Sequence, residues 1–520
     1  MKNSLAKRLR YLEDEEIAKA IIDGTYEIPP ELDEATRYIL QEIGKMGGEL
    51  RNGEGHDIVF STEDYRTFWK RVGEWTTSSP SSIHYGHYKA SVKNMLSSKI
   101  HAQQLTIIAR SGVAPERWGV SLQVLLEKLA GVCLVEKLRY IQLYEADFNF
   151  FQQFVFGREA MNTLTDRGLL PEEHFSKKGS TAEDAKFDKT LMADNSRQAR
   201  IPMSIVSVDA AQCYDRVNHI IMSLVWFALI GVTGPIKVIL YCLQTMQFYQ
   251  RTGHGDSSTS TGGDGFYFMG LGQGSRGAPP SWVCLSSVIV NILRKLKHGA
   301  RMVDPMTRAL IHSIGAMFVD DTDLYCWVES IKNAEELYDT IQKETTMWGD
   351  LLLATGGCLN PEKCFWYMLD YECCEGEWKP RELVNWELLI PVDDGSQRPI
   401  FSLSPHESKK VLGVEDCPAG GNATQLKTIK EKVKEWMNRM KNGHLPAKWA
   451  WVAYKYQHWP SIRYGIGTMT NDMEEAEELL DEFDYGLLNI LGIARTVKVG
   501  WKKLYSTFGG FGIMNLATEQ

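Results

Sequence analysis

Residues 314–327 read IGAMFVDDTDLYCW, and two adjacent aspartates, Asp320 and Asp321, interrupt a run that otherwise suits a pair of short strands. Like charges at a hairpin tip repel. A solvated turn is the simplest account, because aspartate is a common turn residue. The alternative is a divalent cation held there by its preference for oxygen ligands. A second stretch bears on the choice. Residues 201–208, IPMSIVSV, form a compact β-branched run ending directly at Asp209, as a buried strand does when it delivers a carboxylate from its C-terminal end. If the two strands neighbour one another in one sheet, Asp209, Asp320 and Asp321 converge. Three ionised carboxylates share a site only with cations to neutralise them. Two Mg²⁺ ions there would suit phosphoryl transfer, activating an attacking hydroxyl and stabilising a departing pyrophosphate.

Composition narrows the class. The 520 residues suffice for several domains, and 44% hydrophobic with 24% charged residues is ordinary for a folded protein. The longest apolar stretch, MSLVWFALIGVTGPIKVILYCL, is broken at Gly234-Pro235 and carries Lys237, so no membrane partner is expected. The N-terminal MKNSLAKRLRYLEDEE is charged rather than signal-like, which points to an intracellular protein of nucleus or cytoplasm. Ten cysteines without a CxxC pair read as reduced thiols packed in cores, and the spacing of Cys358, Cys364, Cys373 and Cys374 fits no zinc module. His84 and His87 have HxxH spacing without a further ligand nearby, so packing or hydrogen bonding is their simpler role. Neither a P-loop nor a dinucleotide-binding glycine motif occurs.

The net charge of −9 argues mildly against a nucleic-acid binder, yet phosphate meets only the local surface. The run KTIKEKVKEWMNRMKNGHLPAK, Lys427 to Lys448, is strongly basic, with Trp436, His444, Trp449 and Trp451 in or beside it. Cations interleaved with aromatics suit a nucleic-acid surface; an amphipathic helix packed on its neighbours is the competing account. The acidic NDMEEAEELLDEFD soon after it can mask this patch in the total.

Along the chain, residues 1–75 read as short amphipathic helices separated by Pro29-Pro30 and a Gly-rich loop, GKMGGELRNGEG, with the linker TTSSPSS after them. VCLVEKLRYIQL predicts a pair of short strands, and a helical stretch from Arg216 to Gln247 breaks at Gly234-Pro235. QFYQRTG and GFYFMGL predict a hairpin with a Gly/Ser/Thr tip. Helices are expected over VCLSSVIVNILRKL and NAEELYDTIQKETTMWGDLLLAT, one strand-like segment at KKVLGVEDC, and mainly helix after it. The pattern is α+β.

Five motifs then occur in a telling order. DAAQCYD from Asp209, GQGSRGAPPSW from Gly272, FVDD ending at Asp321, ATGGCLNPEKCFWY from Ala354 and KKVLGV from Lys409 resemble the palm motifs and primer grip of reverse transcriptases. VEKLRYIQL from Val135, HFSKKGSTAEDA from His174 and SSPSSIHYGHYKA resemble upstream segments of the non-LTR retrotransposon enzymes, in the protist and fungal manner. The resemblance covers residues 75–420, with a helical thumb expected behind it. It implies a right-hand polymerase: N-terminal helical extension 1–75, fingers 76–200, palm 201–420 and thumb 421–520.

The resemblance also implies roles. Asp209, Asp320 and Asp321 would hold two Mg²⁺, with Mn²⁺ as a substitute. Tyr214 would crowd the 2′ position of the incoming sugar, Gln273 and Gly274 would pass beside the nucleotide, and Arg139 and Lys89 would reach its triphosphate. Lys363 would neutralise or protonate the leaving pyrophosphate, while Asp215 and Asp323 would be supporting or turn residues. The partners would be an RNA or DNA template with its primer, and dNTPs. Motif B opens Gly-Leu-Gly-Gln-Gly where many relatives have Leu-Pro-Gln-Gly. No endonuclease, RNase H or zinc-knuckle pattern is visible, which suggests a fragment of a polyprotein, a truncated copy or a domesticated gene. A catalytically silent nucleic-acid-binding scaffold and an RNA-dependent RNA polymerase are the alternatives; the second would favour GDD at the hairpin and an aspartate at position 214.

Overall fold

The computed structural model describes residues 15–48, 57–76, 81–132, 134, 138–252, 255–263, 269–304, 306–381, 386–469, 486–494, 496–504, 508 and 512–514. The architecture mixes helices with four β-sheets among the described residues. The acidic run 471–484 and the arm GFYF lie outside them.

The largest sheet has the order β14-β15-β11-β3-β10-β7-β8, where β3 is Met203–Asp209, β7 Ala300–Val303, β8 Leu310–Ser313, β10 Asp321–Val328, β11 Phe365–Leu369, β14 Glu387–Pro391 and β15 Gln397–Leu403. β9, Gly315–Phe318, pairs with β10 as the expected hairpin. β3 is buried on both faces until Asp209, which explains its unbroken apolar run. Val206, Val208, Leu324, Trp366 and Met368 point into the main core, while Ile205, Tyr325, Trp327 and Tyr367 point into a second one on the opposite face. Three helices flank this sheet: α1 (Ala182–Ala199) on the second face, α2 (Ala278–Lys295) and α3 (Ala334–Ala354) on the first. The main core runs on into the helices Glu34–Gly48, Thr62–Arg71 and Ala146–Phe154. A third core is confined to residues 429–513, centred on α4 (Ala423–Gly443).

Several expectations need correction. Among the described residues of VCLVEKLRYIQL, Leu138–Leu143 form β2, whose antiparallel partner is β1 (Val120–Glu127), while most of the first expected strand lies outside the described residues. β4 (Gln247–Thr252) pairs in parallel with β1, and its tip folds back as β5 (Gly255–Asp256) and β6 (Thr261–Gly262). KKVLGVEDC is itself a hairpin, β16 (Lys409–Val411) with β17 (Val414–Asp416), turning at Leu412-Gly413. The strands β12 (Tyr371–Cys374), β13 (Glu377–Pro380), β14 and β15 fall between α3 and KKVLGVEDC, where the sequence pattern assigns no element. The first part of GKMGGELRNGEG is helix, since Gly44 and Gly47 let that helix close onto Ile21 and Ile22. A Cβ at Gly47 would fall 2.2 Å from Ile22 Cγ2. The helical stretch does break before Gly234, which opens the second helix with Pro235 in its first turn. Six described cysteines are buried and Cys373 and Cys374 are exposed. Among the described residues, no helix is long and apolar enough to cross a membrane.

Candidate active site

The antiparallel register of β3 and β10 sets Asp321 directly opposite Asp209, with Asp320 in the turn just before. Directly opposed like charges destabilise a ladder. The turn itself is strained: Val319, a β-branched residue, sits at φ +61°. It is held there by Trp282 of α2, whose Nε1 donates to Val319 O at 2.7 Å. The HFS stretch supports the hairpin from the other side, Phe175 N donating to Met317 O at 2.9 Å.

The loop after α3 wraps the end of β3. Asn360 N donates to Asp209 O at 2.9 Å, Ala211 N to Cys358 O at 2.8 Å, and Asp209 N to Cys364 Sγ at 3.3 Å. This wrapping delivers Lys363, whose Nζ lies 3.1 Å from Asp209 Oδ2 and 3.3 Å from Oδ1. Partial burial, then the neighbouring Asp320, Asp323 and Asp209, push the Asp321 carboxyl up to about 6. Asp320 is raised as well, by burial and Asp209, while Lys363 and Arg139 pull it back. Arg139, exposed on β2, is thus within electrostatic reach of the turn.

Tyr214 sits on a single turn of helix, Cys213–Arg216, that follows β3, and its half-buried phenol is raised by burial, Cys213 and Asp320. Its carbonyl accepts from Leu271 N at 2.7 Å, tying it to the motif B loop. In that loop Gln273 Nε2 donates to Asp215 Oδ2 at 3.1 Å, and Gln142 N donates to Gln273 O at 2.7 Å. Gly274 stands at φ +113°, where a Cβ would fall 2.2 Å from Gln142 O, so only glycine fits. Asp209, Asp320, Asp321, Lys363, Tyr214 and Arg139 are therefore brought together, and Gln273 and Gly274 are joined to Tyr214 through the loop. Lys89 is not: its ammonium donates to Val72 O at 2.9 Å on the helix Tyr85–Ser91. His87 Nδ1 accepts from His84 N at 3.0 Å, so HxxH is a helix cap.

A cleft of about 510 Å³ opens over the carboxylates, lined by Asp209, Asp321 and Lys363 on one side and by Lys409, Lys410 and Gly413 of the β16–β17 hairpin on the other. A second cleft, of about 550 Å³, reaches the same turn through Val319 and carries Lys177, Lys178 and Arg276. On α4, Ile429, Val433 and Met437 face the core, and Lys427, Lys430 and Lys434 face outward. Trp436 and Trp451 pack onto that core, His444 ends the helix, and Trp449 is open to solvent.

Among the described residues, no three His, Cys, Asp or Glu side chains close into a metal cage, and the cation paired with Asp209 is Lys363. The donor set still fits a hard cation. It consists of carboxylate oxygens alone, and its mutual repulsion is what an added divalent charge would relieve. Reading by sequence missed Lys189, which pairs with Asp323, the Asp416 and Lys186 linked to it in turn, and Trp282, which braces the turn. No protein-family model and no curated protein matches the chain.

Proposed function

We propose that the chain is an RNA-directed DNA polymerase of reverse-transcriptase type, extending a primer with dNTPs on an RNA or DNA template. The observation that carries this reading is the opposed pair Asp209–Asp321, with Asp320 at a braced turn, beneath a cleft whose far wall is cationic. On this reading residues 1–75 are an N-terminal helical extension, 76–200 the fingers, 201–420 the palm and 421–520 the thumb.

Asp209, Asp320 and Asp321 would hold two Mg²⁺, or Mn²⁺ in their place, which when bound help ionise the primer 3′-hydroxyl and stabilise the leaving pyrophosphate. The rest falls to the chain's own groups. Lys363 beside Asp209 supplies a positive charge, and a proton, to the pyrophosphate oxygens. Arg139 offers a rigid fork of donors to the triphosphate from the β2 side. Gly274 lets the motif B backbone approach the nucleotide without a side chain between them. Tyr214, its backbone anchored by Leu271 N, would exclude a 2′-hydroxyl with its ring. Lys409 and Lys410 meet primer phosphates, and the outward lysines of α4 follow the duplex; base choice is left to pairing with the template.

The test is primer extension by the purified chain on poly(rA)/oligo(dT), with Mg²⁺ and Mn²⁺ compared and dTTP set against UTP. Metal-dependent incorporation of dTTP is expected. Extension by UTP alone would indicate an RNA polymerase, and no extension with either metal would indicate a binding scaffold.

A further inference from the structure

Two residues inward from Asp321, on the same face of the sheet, lies a second group of charges whose members are all buried. Lys189 is 1% exposed, Asp416 3%, Lys186 5% and Asp323 7%. Lys189 Nζ stands 2.9 Å from Asp323 Oδ2 and 2.9 Å from Asp416 Oδ2. Lys186 Nζ donates to Asp416 Oδ1 at 2.5 Å and to Thr190 Oγ1 at 2.9 Å. Ser207 Oγ, across the ladder, donates to Asp323. Burial opposes the ionised form of Asp416, yet the two lysines outweigh it and hold the carboxyl down at about 2. Two cations balance two anions, and the network is closed.

Such a network is not needed for stability, since apolar packing of equal volume commonly does as well or better. What it does is join three elements. The lysines lie one turn apart on α1, Asp323 belongs to β10, and Asp416 ends β17. Among the described residues, the β16–β17 hairpin is a two-strand sheet that joins no other. Its further ties are to its turn and flanks: Tyr464 Oη donates to Leu412 O at 2.5 Å, Tyr367 Oη to Glu407 O at 3.2 Å, and Glu415 N to Gln425 Oε1 at 3.0 Å. α1 is in turn anchored to the C-terminal region, Gly465 N donating to Glu183 Oε1 at 2.8 Å.

We infer that Lys186, Lys189 and Asp416 are positioning residues that fix the β16–β17 hairpin above the Asp209–Asp321 pair, and so set where a primer 3′ end meets the carboxylates. This role rests on the polymerase reading; the tether itself does not. The hairpin forms the far wall of the cleft, and the network bolts that wall to the strand that carries the metal ligands. Displacing a reacting end by an ångström costs rate without costing affinity.

The test uses the full chain and the paired variant Lys186→Met/Asp416→Asn, which removes one cation with one anion and leaves the Lys189–Asp323 pair in place. Amide exchange across residues 409–416 should rise at least about tenfold while β3 and β10 keep parent protection. In primer extension kcat should fall on the order of ten- to a hundredfold, with the Kd for primer–template within about twofold of the parent. Asp416→Glu, which keeps the charge but lengthens the arm, serves if the pair does not fold; it should lower kcat several-fold at unchanged Kd. Parent-like exchange at 409–416 in a folded variant overturns the tether. Faster exchange with parent-like kcat overturns the positioning role. A parent chain that extends no primer defeats the polymerase reading, and the exchange measurement then decides the tether alone.

Discussion

Strands β3 and β10 carry two charge clusters within two residues of each other, and they are built on opposite rules. At the open end, Asp209, Asp320 and Asp321 crowd together with Lys363 as the one ammonium in ion-pair contact among the described residues. One step inward, Asp323 and Asp416 meet Lys186 and Lys189 in equal number, sealed from water. The inner cluster satisfies itself and ties three elements together. The outer one sets three carboxylates on a strained, braced turn, an arrangement that marks a candidate binding site. Residue type does not separate Asp321 from Asp323, two aspartates on one ladder. Compensation does.

The largest effect expected from breaking this contrast is on the outer cluster. Asp320→Asn or Asp209→Asn should abolish primer extension while circular dichroism and the melting transition stay close to the parent, because no cavity and no buried charge is created. A variant that still extends at near-parental rate would remove the metal-ligand assignment.

The inner cluster should answer in the other currency. Lys189→Met leaves two buried carboxylates undercompensated and should cost about 3–5 kcal/mol in urea unfolding. Asp321→Asn should instead stabilise the metal-free chain. Its carboxyl rises from 3.8 to about 6 on folding, so the folded state holds that proton more tightly and loses this advantage as pH climbs through 6. The variant should therefore melt higher than the parent above pH 6 and alike below pH 4. Equal losses from both substitutions would erase the distinction between the clusters.

Tyr214→Ala sharpens the functional side. A ring against the sugar excludes a 2′-hydroxyl by clash, at little cost to the right substrate. The preference for dTTP over UTP should drop by roughly one to two orders of magnitude, with a modest loss for dTTP. An unchanged ratio would leave the residue as a packing tyrosine tied to Leu271. The smallest effect concerns α4: reversing Lys430 and Lys434 should lower the slope of log affinity for primer–template against log salt by about one for each phosphate no longer neutralised. An unchanged slope returns that helix to packing.

How much of this was legible in sequence follows from the same contrast. The outer aspartates stand out because they interrupt apolar runs, and β3 and the β9–β10 hairpin follow from alternation and β-branching. The lysines of the inner cluster were invisible. Lys186 and Lys189 sit on α1, where a lysine normally marks a solvated face, and Asp416 ends a strand more than two hundred positions away. Only the fold reveals that they are buried. The strands β12 to β15 were missed because edge and two-stranded ribbons need little hydrophobic pattern; β13, EWKP, is almost wholly exposed. The helix Glu34–Gly48 extends past the point where its glycines suggest a loop, because they serve close packing rather than a turn. Lys89 matched its motif and yet is engaged with a backbone carbonyl.

The central proposal is that Asp209, Asp320 and Asp321 together bind a divalent cation, and calorimetric titration of Mn²⁺ into the intact chain tests it most directly. At pH 7.5 the parent should bind Mn²⁺, Asp209→Asn and Asp321→Asn should each lose most of that affinity, and Asp323→Asn should lose far less. In the parent, affinity should weaken by about tenfold per pH unit below 6, as protons compete for Asp321. No Mn²⁺ binding by the parent, or binding that survives both outer substitutions unchanged, would contradict the account.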